Sequence, residues 1–418
     1  MARKLYTFLG TFEYSEYVYI LPDRQGVSSP TRFVQTALWE MLERKGEPPD
    51  EIIVFLTEEA RSMNWLSRTN AQGNVIPGLH DTWIAKYGEG KCRLKTVDIE
   101  DDDHEDAMWR LFEQMAEEAG EHDEIYIDIT YGFRSTPAVS LIIGDYVSVL
   151  RKIKLKGLYY GKVDQSSSTA IIHDMTEMLV LFKWTQATES YLRTGNAQLL
   201  LSVVKEQAPV HEADWHFMEL AERLNNVSMS IETCRGHMVE EAILKALEQL
   251  RKLKDDPSSK LKPFQKLLDQ ISRKFSGFQP NRYEANLLFI VQWCINHHLY
   301  QQGYTFLHEG LLTILTRHVG WNPENRKDRE RVKNILYEVI NGNRQQPLSN
   351  EDKRLARSWQ PFAPRLSFFA KLAHYRNNIN HGQATDQRYT YDQLAAALTD
   401  FCNRARGLLN NLYEIPRG

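Results

Sequence analysis

The sequence predicts an α/β domain followed by an all-α region, and two observations lead to this fold class. Up to about residue 174, short apolar segments alternate with amphipathic ones, as strands alternate with helices around a parallel sheet. Beyond that point, apolar residues recur at helical spacing. A chain of 418 residues is also too long for one ordinary core. We therefore expect a sheet domain over 1–180, a helical connector over 181–280 and a helical domain over 281–418.

The elements of the first domain are predicted in a regular order. Strands are expected at 4–9, 51–56, 94–99, 124–129, 153–160 and, as a short one, 169–173. Helical spacing predicts helices at 31–42, 103–119 and 137–150, while the tyrosine-rich segment 12–20 is interpreted as a loop. Because several strands are apolar throughout, the sheet should be parallel and covered on both faces.

The rest of the chain is predicted to consist of amphipathic helices. They are expected at about 229–253, 284–300, 303–319, 328–340, 366–381 and 391–412. Polar, Gly- and Pro-containing breaks fall at 255–259, 322–323 and 342–349. No internal repeat is found.

Composition indicates a soluble globular protein, with 42% hydrophobic and 25% charged residues. No apolar run approaches the roughly 20 residues of a membrane span, and the N-terminal residues MARKLYTFLG lead straight into a strand-like segment. We therefore expect a cytoplasmic protein without a signal peptide. The four cysteines, Cys92, Cys234, Cys294 and Cys402, are scattered singly and are interpreted as reduced thiols.

Charge is distributed unevenly along the chain. A net charge of -4 argues against a protein that coats nucleic acid through its overall charge. The acidic stretch 98–128 favours a solvated helix face over a metal site, because its carboxylates form a run without an interleaved ligand pattern. The basic stretch 341–418 is the better candidate for touching nucleic acid.

The segment EIYIDITYGFRSTP, residues 124–137, has the pattern strand, polar turn, helix. Ligands of open α/β sheets bind beyond the carboxyl ends of the strands, where helix N-termini offer unpaired N–H groups to anions. Phosphates and ribose hydroxyls would suit the polar ends of several strands here. The candidate ligand-binding residues are Gly10, Thr11, Thr57, Glu58, Asp128, Thr130, Tyr131, Gly132, Phe133, Arg134 and Ser135. An ordinary strand-to-helix connection with a surface arginine remains the alternative.

Two familiar phosphate-binding motifs do not occur in the sequence. There is no GxGxxG after the first strand and no GxxxxGK[ST] anywhere. A dinucleotide-binding fold and a P-loop are therefore not supported.

A second candidate site lies in the segment FFAKLAHYRNNINHG, residues 368–382. It contains Arg376 and His381, with asparagines between them that include Asn377 and Asn380. Asparagines lower helix propensity without adding to a core, which suggests that the polarity serves chemistry or a helix end. On a regular helix Arg376 and His381 would point roughly 140 degrees apart, so they meet only if the helix ends near Gly382 or the arginine reaches around.

These two side chains would suffice for RNA cleavage without a metal. A histidine can move a proton to or from a ribose hydroxyl, and an arginine can stabilise charge that builds on a phosphate. The alternative is a surface arginine with a histidine that caps a helix C-terminus. His297, His298 and His374 are interpreted as structural or surface residues.

Taken together, the two sites resemble the CARF-HEPN ribonucleases of type III CRISPR systems, in particular the accessory effectors known for a DxTHG motif. In the first half the resemblance rests on LGT at 9–11, TEEA at 57–60, DITYGFRSTP at 128–137, YYG at 159–161 and DMT at 174–176. In the second half RNNINH at 376–381 is similar to the HEPN signature RxxxxH. Tyr131 stands where the DxTHG motif has its histidine.

The resemblance implies a homodimer, which could assemble further. Two Rossmann-like CARF domains would bind one cyclic oligoadenylate, with cyclic tetra-adenylate favoured over cyclic hexa-adenylate. The paired HEPN domains would then cleave single-stranded RNA with Arg376, Asn377, Asn380 and His381, without a metal or another cofactor.

Two other functions stay open at this point. The chain could be a nucleotide-sensing regulator that binds RNA or a partner without cleaving it. Alternatively, the sensor domain could also degrade its own ligand slowly, as a ring nuclease, with Thr11 and Thr130 positioning a ribose.

Overall fold

The computed structural model describes the chain except for residues 23–25, 102–103, 133–135, 164–167, 207–211, 256–261, 343–347, 383–387 and 418. The side chains of 136–138, 212–214 and 262–263 are likewise outside the described part. The chain divides into two compact units, Met1–Val180 and Leu181–Gly418.

The described residues of the first unit form nine strands. They are β1 Arg3–Phe8, β2 Val18–Ile20, β3 Glu51–Leu56, β4 Arg68–Thr69, β5 Val75–Ile76, β6 Arg93–Asp98, β7 Glu124–Asp128, β8 Lys154–Val163 and β9 Thr169–Asp174. The short strands β4 and β5 form a separate antiparallel hairpin. The predicted strand at 51–56 is confirmed to the residue, and the other five agree within one to three residues at either end.

The main sheet has the order β2-β9-β8-β7-β1-β3-β6. From β8 to β6 all neighbours are parallel, as predicted. The expectation of a wholly parallel sheet is wrong at the other edge, because β9 runs antiparallel to β8. Only residues 164–168 connect these two strands, and a parallel crossover needs a dozen residues or more.

The segment predicted as a tyrosine-rich loop also contains a strand. Residues Val18–Ile20 pair in parallel with β9 and extend the sheet at this edge. A strand of three residues is too short to show alternation in the sequence, and its partner lies far along the chain.

Helices flank the sheet in the first unit. They are α1 Val34–Arg44, α2 Glu58–Ala60, α3 Leu79–Tyr87, α4 Glu105–Glu117 and α5 Thr136–Arg151, and α2 continues into one π-helical turn, Arg61–Trp65. The buried side chains form two clusters, one around Leu5, Val54 and Trp83 and the other around Phe8 and Ile127. Neighbouring strand residues alternate between these clusters, so both faces of the sheet are covered as predicted.

The second unit is helical in its described part, as predicted. Its helices are α6 Thr176–Thr194, which begins in the first unit, α7 Gln198–Glu206, α8 Glu212–Glu232, α9 Gly236–Asp255, α10 Lys262–Arg273, α11 Tyr283–Asn296, α12 Tyr300–His318, α13 Arg326–Asn341, α14 Asn350–Trp359, α15 Ala363–Leu366, α16 Phe368–Asn380 and α17 Tyr391–Asn410. The division into connector and terminal domain at residue 280 stays a prediction, because 181–418 form one compact unit.

The boundary between α8 and α9 corrects one predicted helix. Residues 229–253 were expected to form a single helix, but the chain turns at Cys234, whose φ is +54°. The break follows Glu232 and precedes Gly236. Helical spacing of apolar residues continues across the turn, so the pattern alone did not indicate it.

None of the described helices is long and apolar enough to cross a bilayer.

Candidate functional site

A cleft of about 760 Å³ lies in the first unit at the carboxyl ends of the parallel strands. It is lined by residues at and after the ends of β1, β3, β6 and β7 and by residues from the second half of β8. Six predicted ligand residues line it, namely Gly10, Thr11, Thr57, Thr130, Tyr131 and Gly132. Glu58 is exposed but does not line the cleft. Phe133, Arg134 and Ser135 lie outside the described residues.

Asp128, the last residue of β7, lies beneath this cleft and has no exposed surface. Its carboxylate accepts hydrogen bonds from the Thr7 hydroxyl at 2.6 Å and from the Thr130 backbone N–H at 2.9 Å. The Thr130 hydroxyl donates a third bond. Burial raises the pKa of Asp128, although these hydrogen bonds act in the opposite direction. Asp128 therefore fixes the turn after β7 and does not face the cleft itself.

The hydrogen-bonded network around Asp128 continues in both directions. Gln35 on α1 donates to the Thr7 hydroxyl at 3.0 Å and to the Phe8 carbonyl at 2.9 Å. On the other side, the Gly161 N–H donates to the Thr130 hydroxyl at 2.7 Å. A Cβ at Gly161 would lie 3.1 Å from that hydroxyl oxygen, which explains a glycine at this point of β8. Hydrogen bonds thereby connect β1, α1 and β8 to one buried carboxylate.

Aromatic rings form one wall of the cleft. Tyr131 stacks on Tyr14 with ring centroids 4.5 Å apart, and Phe12 meets both rings edge-on. Phe12 is 57% exposed, so its ring is available to a ligand. Burial raises the pKa of Tyr131, which keeps its phenol neutral. Such a wall suits stacking of nucleobases.

The loop that carries Gly10 to Tyr14 is held by a residue that the sequence did not single out. Asn64 lies on the π-helical turn and is 1% exposed. Its amide donates to the carbonyls of Gly10 at 2.9 Å and Phe12 at 2.8 Å. The Gly10 N–H in turn donates to the Tyr14 hydroxyl at 2.6 Å. The loop is thus preorganised on the cleft side.

The charges that line the cleft are acidic in the described part of the chain. Glu13 and Asp101 are the charged lining residues there, and Glu13 is paired with Arg68 at 2.7 Å. The predicted cation Arg134 falls on residues that the structure does not describe. Binding of a phosphate would need such a cation or backbone N–H groups.

The second candidate site lies at the C-terminal end of α16. Arg376 forms an ion pair with Glu309 on α12, with Nη2 of the arginine 3.2 Å from Oε1 of the glutamate. Asn380 accepts a hydrogen bond from Gln301 at 3.2 Å. His381 is the exposed C-cap residue, and its N–H donates to the Asn377 carbonyl at 2.9 Å.

The side chain of Arg376 is paired with Glu309 and not with His381. Both candidate catalytic residues are described, and no hydrogen bond between their side chains is present. Gly382 follows with φ +58°, the left-handed conformation that ends helices. The histidine therefore sits at a helix end, as the sequence indicated, while the arginine is turned towards α12.

Glu309 is the centre of a charged cluster. One carboxylate oxygen lies 2.9 Å from His308 Nδ1, and the other lies 2.5 Å from Nη2 of Arg329. Burial alone would raise the pKa of Glu309, but His308, Arg376 and Arg329 together lower it to about 2. The carboxylate is therefore ionised at neutral pH. Glu309 was not predicted, because one acidic residue in a long helix carries no signal of its partner.

The fold and sites define an α/β unit with a strand-end cleft, linked to a helical unit with an Arg/Asn/His helix end. Residues 180–279, almost all of them in the helical unit, match a family model described as the second domain of CRISPR-associated protein MJ1674. The chain is also similar to CRISPR-associated protein MJ1674 of Methanocaldococcus jannaschii, with 26% identity over 259 residues. The alignment covers 60% of this chain and 38% of that relative, so well under half of the relative is matched.

Proposed function

We propose that the chain is a CRISPR-associated endoribonuclease that cleaves single-stranded RNA when a cyclic oligoadenylate binds its first unit. The observation that carries the proposal is the end of α16, where His381 is exposed at the helix terminus and Arg376 lies five residues before it. The similarity to a protein named as CRISPR-associated supports the same biological setting.

In this mechanism the 2′-hydroxyl of the RNA attacks the adjacent phosphate. The imidazole of His381 moves the proton, and the guanidinium of Arg376 stabilises the charge that builds on the phosphate. Asn377 and Asn380 expose amide groups on the same helix end and can orient the substrate. To bind the phosphate, Arg376 must give up at least part of its ion pair with Glu309. The strength of that ion pair can therefore regulate cleavage.

The sensing part of the proposal concerns the cleft of the first unit. Its aromatic wall suits adenine rings, and its position at the strand ends is that of ligand sites in open α/β sheets. A symmetric ligand suits the interface of a symmetric homodimer, in which two HEPN sites would also face each other. Cyclic tetra-adenylate is the favoured activator.

A second function is favoured by one observation. Arg376 is engaged by Glu309, and no hydrogen bond joins its side chain to that of His381. A sensor that binds RNA through the helical unit without cleaving it needs no closer approach of these two residues.

One experiment separates the two functions. The purified full chain is incubated with fluorescent RNA, with and without cyclic tetra-adenylate or cyclic hexa-adenylate. Cleavage that depends on one of these activators supports the nuclease. Activator-dependent RNA binding without cleavage, even at high protein concentration, supports the regulator instead.

A further inference from the structure

A groove of about 710 Å³ lies in the helical unit, between the start of α11 and the end of α17. Its lining combines apolar side chains with arginines and side-chain amides. The apolar part consists of Leu288, Phe289, Leu409 and Leu412, all half-buried. At Gly277 the backbone passes close to the Phe289 ring, because a Cβ there would lie 3.1 Å from a ring carbon. The groove therefore has an apolar surface that includes an aromatic ring.

One arginine lines the groove from each of these two helices. Arg282 is the N-cap residue of α11, Arg406 lies near the end of α17, and both are exposed. Neither guanidinium has an ion-pair partner among the described residues, and Arg406 donates to Asn403 on its own helix at 3.1 Å. Arg404, two residues earlier on α17, is by contrast paired with Asp400 at 2.8 Å. Arg282 and Arg406 are therefore available to an anionic ligand.

Other polar groups of the groove suit the same kind of ligand. Gln279 and Asn410 are exposed and add side-chain amides. The first turn of α11 also lines the groove, and no side chain caps its backbone N–H groups. Glu284 is the one acidic residue of the lining, and it lies in that first turn. With two arginines against one glutamate, the lining carries a net positive charge.

We infer that this groove is a second contact site for single-stranded RNA, separate from the helix end that carries His381. The assignment rests on the proposed ribonuclease function for the identity of its ligand. Sites for single-stranded RNA combine positive charges, which bind phosphates, with aromatic rings on which bases stack. Arg282 and Arg406 supply the charges, and Phe289 supplies the ring. Because every nucleotide has a phosphate and a flat base, the groove binds RNA without selecting its sequence.

The length of α17 separates this groove from the candidate catalytic helix end. Tyr375, the neighbour of Arg376, stacks on Tyr389 just before α17 begins, with ring centroids 4.1 Å apart. Arg406 lies near the other end of α17, and the helix from Thr390 to Arg406 is roughly 24 Å long. An RNA that reaches both sites must span about this distance. The groove should therefore contribute to the binding of long RNAs and not of short ones.

Binding of an uncleavable RNA tests this inference. The probe is a fluorescent RNA of about 20 nucleotides with 2′-O-methyl riboses, which cannot attack the phosphate. Fluorescence anisotropy gives its affinity for the full chain at several salt concentrations. The double variant Arg282→Gln/Arg406→Gln should bind at least about tenfold more weakly. The slope of log affinity against log salt concentration should become shallower by about 1.4, since each phosphate contact on a single strand accounts for about 0.7.

Two further variants make the measurement specific to the groove. Arg404→Gln removes the same charge from a neighbouring position outside the groove, so its affinity should stay within about twofold of the parent. Glu284→Gln removes the carboxylate from the lining and should strengthen binding severalfold. Unchanged affinity and slope in the double variant, or an equal loss in Arg404→Gln, overturns the inference. So does a double variant that binds weakly because it no longer self-associates, as light scattering would show, since the groove is then an interface between copies.

Cleavage kinetics separate this inference from the proposed function. With the activator and a substrate of about 20 nucleotides, the double variant should raise KM and leave kcat unchanged, because the groove binds substrate and transition state equally. A substrate of about three nucleotides cannot span the roughly 24 Å and should be cleaved as by the parent. If the parent cleaves RNA and the double variant binds the probe normally, the nuclease is supported and the groove is not an RNA site. If the parent cleaves nothing and the double variant binds the probe weakly, the groove is an RNA site and the nuclease is contradicted.

Discussion

Glu309 holds Arg376 through one carboxylate oxygen, 3.2 Å from the guanidinium, and holds Arg329 through the other. The arginine that the sequence marks as catalytic is therefore positioned by a residue on another helix. Phosphate binding must compete with this ion pair. The strength of the Glu309 cluster thus influences both the stability of the helical unit and the availability of Arg376.

The first prediction concerns stability and pH. The pKa of Glu309 is lowered from 4.5 to about 2, so its stabilisation is present above the unfolded value of 4.5 and is lost as the pH falls towards 2. The full shift would correspond to about 3 kcal/mol. Because the side chain is 41% exposed, we discount this to roughly 1–2 kcal/mol. Glu309→Gln should be less stable by that amount at pH 7 and nearly equal to the parent near pH 2.

Urea denaturation of both proteins across this pH range measures the difference. Glu222→Gln, at an exposed position of α8, is the control and should match the parent at every pH. A Glu309→Gln deficit that stays constant down to pH 2 would show that the loss comes from packing and not from the charge.

The second prediction concerns the network around Asp128. Thr130→Val removes a hydroxyl that donates to Asp128 and accepts from the Gly161 N–H. Leaving buried polar groups without partners should lower the free energy of unfolding by roughly 2–4 kcal/mol. Chemical denaturation measures this, with Thr399→Val at an exposed site as the control. A Thr130→Val protein as stable as the parent would mean that the network contributes nothing to the fold.

Long apolar or amphipathic segments were predictable, and pairings between distant residues were not. The strand at 51–56 carries its apolar pattern in the sequence, and so does the helix end at Gly342, where φ is +60°. Thr7 and Gln35 each interrupt an apolar run, which was a usable signal for buried partners of Asp128. By contrast, nothing local connects Asn64 with Gly10 or Glu309 with Arg376, because these contacts arise only when separate elements pack together.

The third prediction concerns the aromatic wall of the cleft. Phe12 is 57% exposed and meets Tyr14 and Tyr131 edge-on, so its ring can stack on a base without supporting the core. Phe12→Leu should weaken cyclic tetra-adenylate binding by about 1–2 kcal/mol, or roughly five- to thirtyfold. Calorimetric titration measures the affinity, with Tyr413→Leu, 77% exposed, as the control. Equal affinity of Phe12→Leu and the parent would remove this ring from the ligand site.

The fourth prediction is that RNA cleavage survives chelation. In the proposed mechanism, proton transfer by His381 and charge stabilisation by Arg376 together supply what the 2′-hydroxyl attack needs. Cleavage rates in excess EDTA should therefore equal those in magnesium within about twofold. Loss of activity in EDTA that magnesium or manganese restores would contradict this chemistry.

The last prediction tests His381 and Arg376 together. Each substitution to Ala should lower the cleavage rate at least about a hundredfold, while activator affinity should barely change because the proposed ligand site lies in the first unit. Arg376→Lys keeps a positive charge opposite Glu309 but loses the planar guanidinium, so it should fold like the parent and still cleave slowly. The double Ala variant should be little worse than either single one, since the effects of residues that act as a unit are not additive.

Products should carry a 2′,3′-cyclic phosphate or a 3′-phosphate, with a 5′-hydroxyl on the other fragment, because the ribose itself is the nucleophile. A double variant that binds activator and cleaves at the parent rate would place the chemistry elsewhere in the chain.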